Sequence, residues 1–322
     1  MKKHNRIMLL ILIMIIGLTS GCGSNDYLKD ENNKIVINEQ TGQSIRKDII
    51  CKPNEGSELY KIYEKYNDQM PTKLEDLKTC ENFDLSSSNY TGLWDALLVK
   101  PLALIILKIG TLVGNYGISV MIVGLLIRLI LMPFSIKTMR QSKNMQKAQP
   151  EIMRIEKKYS GKTDSESMMA KSQETMMIYQ KYKINPIGGC LIAILQIPLF
   201  FAFLSAINKV PAIFEGYLFG MNLGMTPLKG LQNGEYIYII LIVLIIASTY
   251  ASFKNTMNQN QSNQLMGNMN SMLIFMLISI SMASLSLPTA IAYYWIIINA
   301  FSFFQNYFVK KILEKDDNKK NY

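Results

Sequence analysis

The chain has 322 residues, of which 49% are hydrophobic and 18% charged, and its formal net charge is +10. Long uncharged apolar runs with this composition are typical of a membrane protein and argue against a soluble globular domain. The basic residues cluster beside those runs. The charge therefore indicates membrane topology, and direct sequence-specific binding of nucleic acid is not expected.

A targeting segment is predicted at the N-terminus. Basic residues at positions 2, 3 and 6 precede an apolar run over 7–18, which is too short to span a bilayer and suits the core of a signal peptide. The run leads into Thr19-Ser20-Gly21-Cys22, which resembles the lipobox of bacterial lipoproteins except at Thr19, where Leu is usual. We expect residues 1–21 to be a lipoprotein signal peptide and Cys22 to carry the lipid, palmitate included. An uncleaved anchor and ordinary cleavage are the alternatives.

Residues 22–92 are polar and, if the signal is functional, form a small extracytoplasmic region. Cys51 and Cys80 lie near the middle and end of this region. In an oxidising exterior a disulfide between them is expected to contribute about 3–4 kcal/mol by a chain-entropy estimate. Two free thiols are the alternative. A metal site is not expected, since the chain's one histidine, His4, lies in the signal.

Five apolar segments follow, and the first contains a charge near its middle. Arg128 cannot lose its proton, and a guanidinium at the bilayer centre costs from about 3 to well over 10 kcal/mol, so such a residue normally faces a bundle interior or a wet cavity. The sequence predicts an all-α polytopic membrane domain over 93–311, with transmembrane helices at residues 117–139, 186–208, 236–253, 271–287 and 289–309.

Residues 93–114 are ambiguous because Asp95, Lys100, Pro101 and Lys108 interrupt their apolar run. We interpret them as an interfacial amphipathic helix. The loop between positions 137 and 183 holds eleven basic and five acidic residues, so it should be cytoplasmic. A helical hairpin is predicted there over 140–185, with Thr163 and Glu166 as a capping box. Five spans and an exported N-terminus also place the basic tail, 312–322, in the cytoplasm.

Polar residues within the spans fall at mid-depth or on the cytoplasmic side: Gln196 in the second span, Asn299 and Gln305 in the fifth. One interpretation is interhelical hydrogen bonding, worth about 0.6–2 kcal/mol each. The other is a blind, hydrophilic groove open to the cytoplasm with Arg128 inside it. The five segments contain no Asp or Glu. The missing counter-ion is therefore expected to come from a substrate.

The chain resembles the YidC/Oxa/Alb family of membrane protein insertases, in the five-span form of Gram-positive bacteria that carries a lipoprotein signal. The resemblance rests on an Arg-bearing first span followed by MPFSIKTMRQS, on INPIGGCLIAILQIPLF and on LPTAIAYYWIIINAFSFFQN, in that order. It implies that Arg128 attracts acidic residues in the exported tail of a client protein. It further implies that the client's apolar segment slides along the third and fifth spans, where Trp295 matches a family position lined by an aromatic residue. Simple packing of Trp295 is the alternative.

The resemblance also implies the partners: nascent or newly made membrane proteins, the Sec translocon, the lipid bilayer and, weakly through the tail and hairpin, the ribosome. No cofactor is implied. The spans contain no catalytic constellation such as a Ser/Lys dyad, and the chain has no P-loop, so an enzyme is not expected. The alternative is a transporter of anions or small solutes with Arg128 as a midplane site, for which inverted repeats and broken helices are expected and not found.

Overall fold

The computed structural model describes residues 26–86, 92–185, 188–260 and 269–320. The predicted signal peptide and Cys22 lie outside these ranges. Two compact units are present: Met1–Ile127 with Gln196–Ala247 and Ile278–Ile298, and Arg128–Leu195 with Ser248–Leu277 and Asn299–Tyr322.

The first unit begins with residues 26–86, which we call the N-terminal module. Antiparallel bridges pair Tyr27 with Arg46 and Ile37 with Ser44. Helix α1, Glu58–Lys65, begins after Ser57, whose hydroxyl accepts a hydrogen bond from the Tyr60 amide. Single 3-10 turns follow, at Asn67–Gln69, Leu74–Asp76 and Cys80–Asn82. A disulfide joins Cys51 to Cys80, with 4.8 Å between their Cα atoms.

A π-helical turn at Asp95–Val99 runs directly into helix α2, Lys100–Val113, so helical geometry continues through Pro101. Pro101 lies in the first turn of α2, where its missing amide costs little. Pro101 therefore leaves the helix continuous, as an interfacial helix over this segment requires. Helix α2 ends at Gly114, whose φ of 74° is the left-handed conformation that glycine adopts without strain.

Both ends of this helical segment contact residues that follow the second predicted span. That span forms helix α6, Gly188–Asn208. Lys209, immediately after it, donates to Asp95 at 2.6 Å. At the other end, Asn115 donates to the Tyr217 carbonyl at 2.9 Å. Because Lys209 and Tyr217 are separated only by a short compact turn, both ends of α2 lie at the same end of α6.

Helix α3, Tyr116–Ile130, is closely packed against α2 at its start. The Ser119 hydroxyl donates to the Ile106 carbonyl, and a Cβ on Gly110 would meet the Tyr116 ring at 2.1 Å. After α6 the chain forms short elements: helix α7, Pro211–Phe214; strands β1, Tyr217–Leu218, and β2, Met221–Asn222, paired antiparallel; and helix α8, Pro227–Gln232.

The remaining long helices are α9, Ile237–Asn260, α10, Met269–Ser286, and α11, Thr289–Lys320. Their large apolar side chains are exposed along one side, as Ile240 and Val243 of α9 and Ile278 and Met282 of α10 show. Such faces suit a lipid environment, since water would not accommodate contiguous apolar surface of this extent.

The second unit contains the helical hairpin, formed by helix α4, Met132–Lys158, and helix α5, Ser165–Lys181. Ala148, Ile152, Ile155, Ile178 and Ile184 form its small core. The helix-starting residue is Asp164, which accepts from the Ser167 amide at 2.8 Å, and not the predicted Thr163. A carboxylate one position later is an equally good cap and also interacts favourably with the positive end of the helix dipole.

By length and composition alone, Asp95–Val113 and Ile237–Lys254 are helices able to cross a membrane among the described residues. Tyr116–Ile130 and Met132–Lys158 count as one more if the pair is taken as a single broken span. Pro198–Asn208 and Leu277–Ser286 are shorter apolar helical stretches. The chain is thus an α-helical protein with apolar membrane helices.

Candidate functional site

Arg128 lies in the last turn of α3 and is half-buried. The helix is interrupted at Leu131, and α4 starts with Met132 and Pro133, which has no amide to donate to the preceding turn. The preceding turns of α3 are apolar, and Val120 and Val123 are fully or almost fully buried. The sequence therefore positions a permanent positive charge at the end of an apolar helix, where the helix dipole also favours a cation.

Asn299 of α11 makes a defined interhelical contact. Its Nδ2 donates to the Thr249 hydroxyl of α9 at 3.0 Å, and Thr249 is 0% exposed. Gln305, about two turns further along α11, is 6% exposed. Polar side chains thus lie within the interior of the second unit, where low polarity makes a satisfied hydrogen bond valuable. For Asn299 the structure favours the interhelical-bond interpretation, which leaves its other amide atom for additional partners.

Gln196 and Trp295 belong to the first unit, and both are half-buried. The Trp295 ring packs edge-on against Phe200 of α6, with 6.0 Å between ring centroids. Trp295 also lines a shallow apolar depression with Ile245, Ser284, Leu287, Ile291 and Ala292. The depression is small, so it offers an apolar surface for contact and no deep pocket.

The predicted groove residues thus fall into two groups. Arg128, Asn299 and Gln305 lie in the second unit, and Gln196 and Trp295 in the first. Each group combines polar groups with apolar helix surface.

Tyr294 adjoins Trp295 in the motif LPTAIAYYWIIINAFSFFQN and is buried. Its ring centroid lies 4.4 Å from that of Phe203, and a Cβ on Gly124 would meet its ring at 2.9 Å. Gly124 therefore permits α3 to pack closely against α11. An isolated glycine inside an apolar span was the available signal for such a close approach.

In the hairpin, Ile152 and Ile155 are three residues apart, so they lie on one face of α4 and pack into the core between the two arms. Met169 and Met176 of α5 are 62% and 49% exposed. The arms are also linked by Lys158 to Glu174 at 2.5 Å and by Lys181 to Glu151 at 2.6 Å. These pairs are largely exposed to water, so each contributes little to stability.

These observations define a helical membrane protein with a charged residue at the end of an apolar helix and a basic hairpin. Comparison with known proteins identifies its family. The family described as 60Kd inner membrane protein matches residues 108–317. The chain belongs to this family, the YidC/Oxa/Alb membrane protein insertases, which confirms the resemblance inferred from its motifs.

Three relatives illustrate the similarity. A membrane protein insertase YidC 2 of Listeria innocua is 34% identical over 224 residues, 69% of this chain and 74% of the relative. The insertase MisCA of Bacillus subtilis is 36% identical over 219 residues, 67% of this chain and 79% of the relative. A YidC of Oceanobacillus iheyensis is 34% identical over 227 residues, 69% and 86% of the two chains. Together with the apolar helices, they identify a bacterial cell membrane protein.

Proposed function

We propose that this protein inserts integral membrane proteins into the bacterial cell membrane and helps them fold, alone or with the Sec translocon. The observation that carries the proposal is Arg128, half-buried at the end of the apolar helix α3, within the part of the chain that matches the insertase family. Its charge would attract acidic residues of a client's exported tail within a hydrophilic groove to which Asn299 and Gln305 of the same unit add polar groups. Gln196, in the other unit, would offer the client a further polar contact.

The groove would lower the barrier for moving a polar tail across about 30 Å of hydrocarbon. Once the tail has crossed, transfer of the client's apolar helix into lipid supplies the driving force, at about 25 cal/mol per Å² of apolar surface. Trp295 and the apolar depression beside it would contact that helix as it leaves. No nucleotide is needed in this scheme, and no group in it forms a covalent intermediate.

The proposed topology has five spans, an exported and lipid-anchored N-terminus and a cytoplasmic tail. The path of α2 supports it. Because Asp95 and Asn115 both contact residues that follow α6, α2 is better explained as a helix lying along the outer surface than as a sixth span. The hairpin α4–α5 would then be cytoplasmic, in keeping with its excess of basic residues.

The partners follow from this arrangement. Nascent or newly made membrane proteins are the proposed clients. The basic hairpin and tail offer weak electrostatic contact with a ribosome, since nucleic-acid phosphates attract clustered lysines. The exposed Met169 and Met176 add adaptable apolar surface on the hairpin.

Site-specific crosslinking to a stalled client tests the groove directly. A photoreactive residue would replace Gln305 in the test protein. In the control protein it would replace Ile240 of α9, an exposed apolar position. We expect the client's acidic tail to crosslink from position 305 and not from 240. A tail that crosslinks equally from both positions, or from neither, would argue against passage through this groove.

A further inference from the structure

Lys209 joins three separate parts of the first unit. Its ammonium lies 2.8 Å from Asp48 of the N-terminal module and 2.6 Å from Asp95 at the start of the α2 segment. Lys209 itself immediately follows α6 and is only 4% exposed. A buried lysine held between two carboxylates connects these parts far more specifically than an exposed ion pair does, because removing one charge leaves the others buried.

Asp48 is itself part of a larger buried network. Its carboxylate accepts from Arg46 at 2.8 and 2.9 Å, and Arg46 also lies 3.5 Å from Asp26. The network therefore joins Lys209 and Arg46 to the carboxylates of Asp26, Asp48 and Asp95, and the buried Lys100 interacts electrostatically with Asp95 and Lys209. The near balance of charge explains how it can be buried at all.

Two further sets of bonds attach the module to the segment after α6. The Ile50 amide donates to the Lys209 carbonyl at 3.0 Å, and the Thr226 amide donates to the Thr41 carbonyl at 2.8 Å. The Glu215 carboxylate accepts from the Ser57 hydroxyl and the Asn54 side-chain amide, each at 2.7 Å. In addition, module residues such as Leu28 and Phe83 share one continuous apolar core with Phe203 and Ile207 of α6.

The family match begins at residue 108, so it contains Lys209 and Glu215 but not their module partners or Asp95. Residues outside the family match therefore supply ion-pair and hydrogen-bond partners to the charged residues Lys209 and Glu215 within the match. A flexible tether between a lipid anchor and the membrane domain would need no such contacts.

We infer that the N-terminal module is a working part of the insertase, and that Lys209 is the positioning residue that fixes the module and α2 to the outer end of α6. The Asp48–Lys209–Asp95 cluster would keep the module and α2 docked at this end of α6 during insertion. This inference goes beyond the proposed groove and rests on it only for the activity readout.

The test compares Lys209→Met with Lys209→Arg and with Lys73→Met in the full-length protein in nanodiscs. Lys73 pairs with Asp68 at 2.8 Å within the module, but Asp68 is fully exposed, so it is a matched control for loss of an ion pair. Hydrogen–deuterium exchange of peptides containing the Ile50 and Thr226 amides reports docking of the module. We expect exchange at Ile50 to become at least tenfold faster in Lys209→Met and to change less than twofold in the two other variants.

Insertion of a short acidic-tailed client into proteoliposomes is measured on the same variants. We expect Lys209→Met to reduce it severalfold and Lys209→Arg to retain most of it. If Lys209→Met does not accumulate, the double variant Lys209→Met/Asp95→Leu removes both charges with little change in volume. We expect it to restore accumulation while exchange at the Ile50 amide stays at least tenfold faster than in the wild type.

Unchanged exchange at Ile50 in Lys209→Met would overturn the positioning role. Faster exchange with unchanged insertion would show that the module docks through Lys209 but is not part of the insertase. An Arg128→Ala protein assayed in parallel separates the two ideas. If Arg128→Ala inserts normally while Lys209→Met does not, the groove mechanism fails and the role of Lys209 stands.

Discussion

Asn299 and Thr249 are joined by a hydrogen bond of 3.0 Å between helices α11 and α9, with Thr249 completely buried. We expect Asn299→Ala and Thr249→Val each to lower the free energy of unfolding by about 0.6–2 kcal/mol, the usual value of such a bond in a membrane protein. The double variant should cost clearly less than the sum, because both changes remove the same bond. Thermal unfolding in nanodiscs measures this. Strict additivity would mean that the bond contributes nothing to stability.

The topology can be checked by labelling single cysteines in intact cells with a membrane-impermeant reagent. Positions Gly216 and Gln232, on the segment between α6 and α9, should be labelled from outside. Gly161 in the hairpin turn and Asn318 in the tail should be labelled only after the membrane is permeabilised. Labelling of position 161 in intact cells would contradict the five-span arrangement.

The proposed lipid anchor is tested by Cys22→Ala. The change should abolish incorporation of labelled palmitate and block maturation, yet leave substantial insertion activity, because the apolar helices hold the protein in the membrane by themselves. Metabolic labelling followed by an insertion assay measures both. If the variant accumulates normally but is inactive, the lipid does more than tether the chain.

Two carboxylates of the module's docking surface should respond to acid in opposite ways. Burial opposes ionisation of Asp48, but hydrogen bonds and charge from Arg46 and Lys209 outweigh it and hold the pKa of Asp48 below its ordinary 3.8. Its contribution to docking is therefore complete above about pH 4 and is lost as pH falls through the lowered pKa. Burial raises the pKa of Glu215 above 4.5, although bonds from Ser57 and Asn54 oppose the rise. Glu215 therefore favours the folded state more as pH falls through that raised pKa.

In the wild type, Asp48 should weaken docking as pH falls below about 4, and Asp48→Asn should remove part of that loss. Glu215 should strengthen docking as pH falls through its raised pKa, and Glu215→Gln should remove part of that gain. The measurement is exchange at the Ile50 amide as a function of pH, corrected for the intrinsic exchange rate. Identical pH profiles in the wild type and both variants would show that neither carboxylate governs docking.

The sequence predicts the positions of residues whose surroundings depend on the neighbouring residues along the chain. The hairpin core at Ile152 and Ile155 follows from helical spacing, and Arg128 was recognisable as a charge in an apolar run. The cap at Asp164 was misplaced by one position, because Thr163 and Asp164 are both good helix-starting residues and only backbone geometry decides between them.

The Lys209 cluster could not be predicted in the same way. Lys209 and Glu215 follow the end of a predicted span, where charged residues are ordinary markers of the membrane boundary. Their partners at Asp48 and Asn54 lie about 160 positions earlier in the chain. Pairing over such a distance depends on tertiary packing, which neither composition nor periodicity encodes.

The central claim is that Arg128 acts as a positive charge on the client's tail. If only the positive charge matters, Arg128→Lys should keep much of the insertion activity. Arg128→Ala and Arg128→Glu should lower the insertion rate at least tenfold for a client with two acidic residues in its exported tail. A neutral-tailed version of the same client removes the attraction and serves as the matched control.

The most direct measurement is therefore the insertion rate of these two clients by wild-type and Arg128→Ala protein reconstituted at equal density, with thermal unfolding followed on the same samples. The groove mechanism predicts that neutralising the tail relieves most of the Arg128→Ala defect while the unfolding temperature stays within a few degrees of wild type. Equal failure with both clients, together with a collapse of thermal stability, would show that Arg128 is structural and would contradict the mechanism.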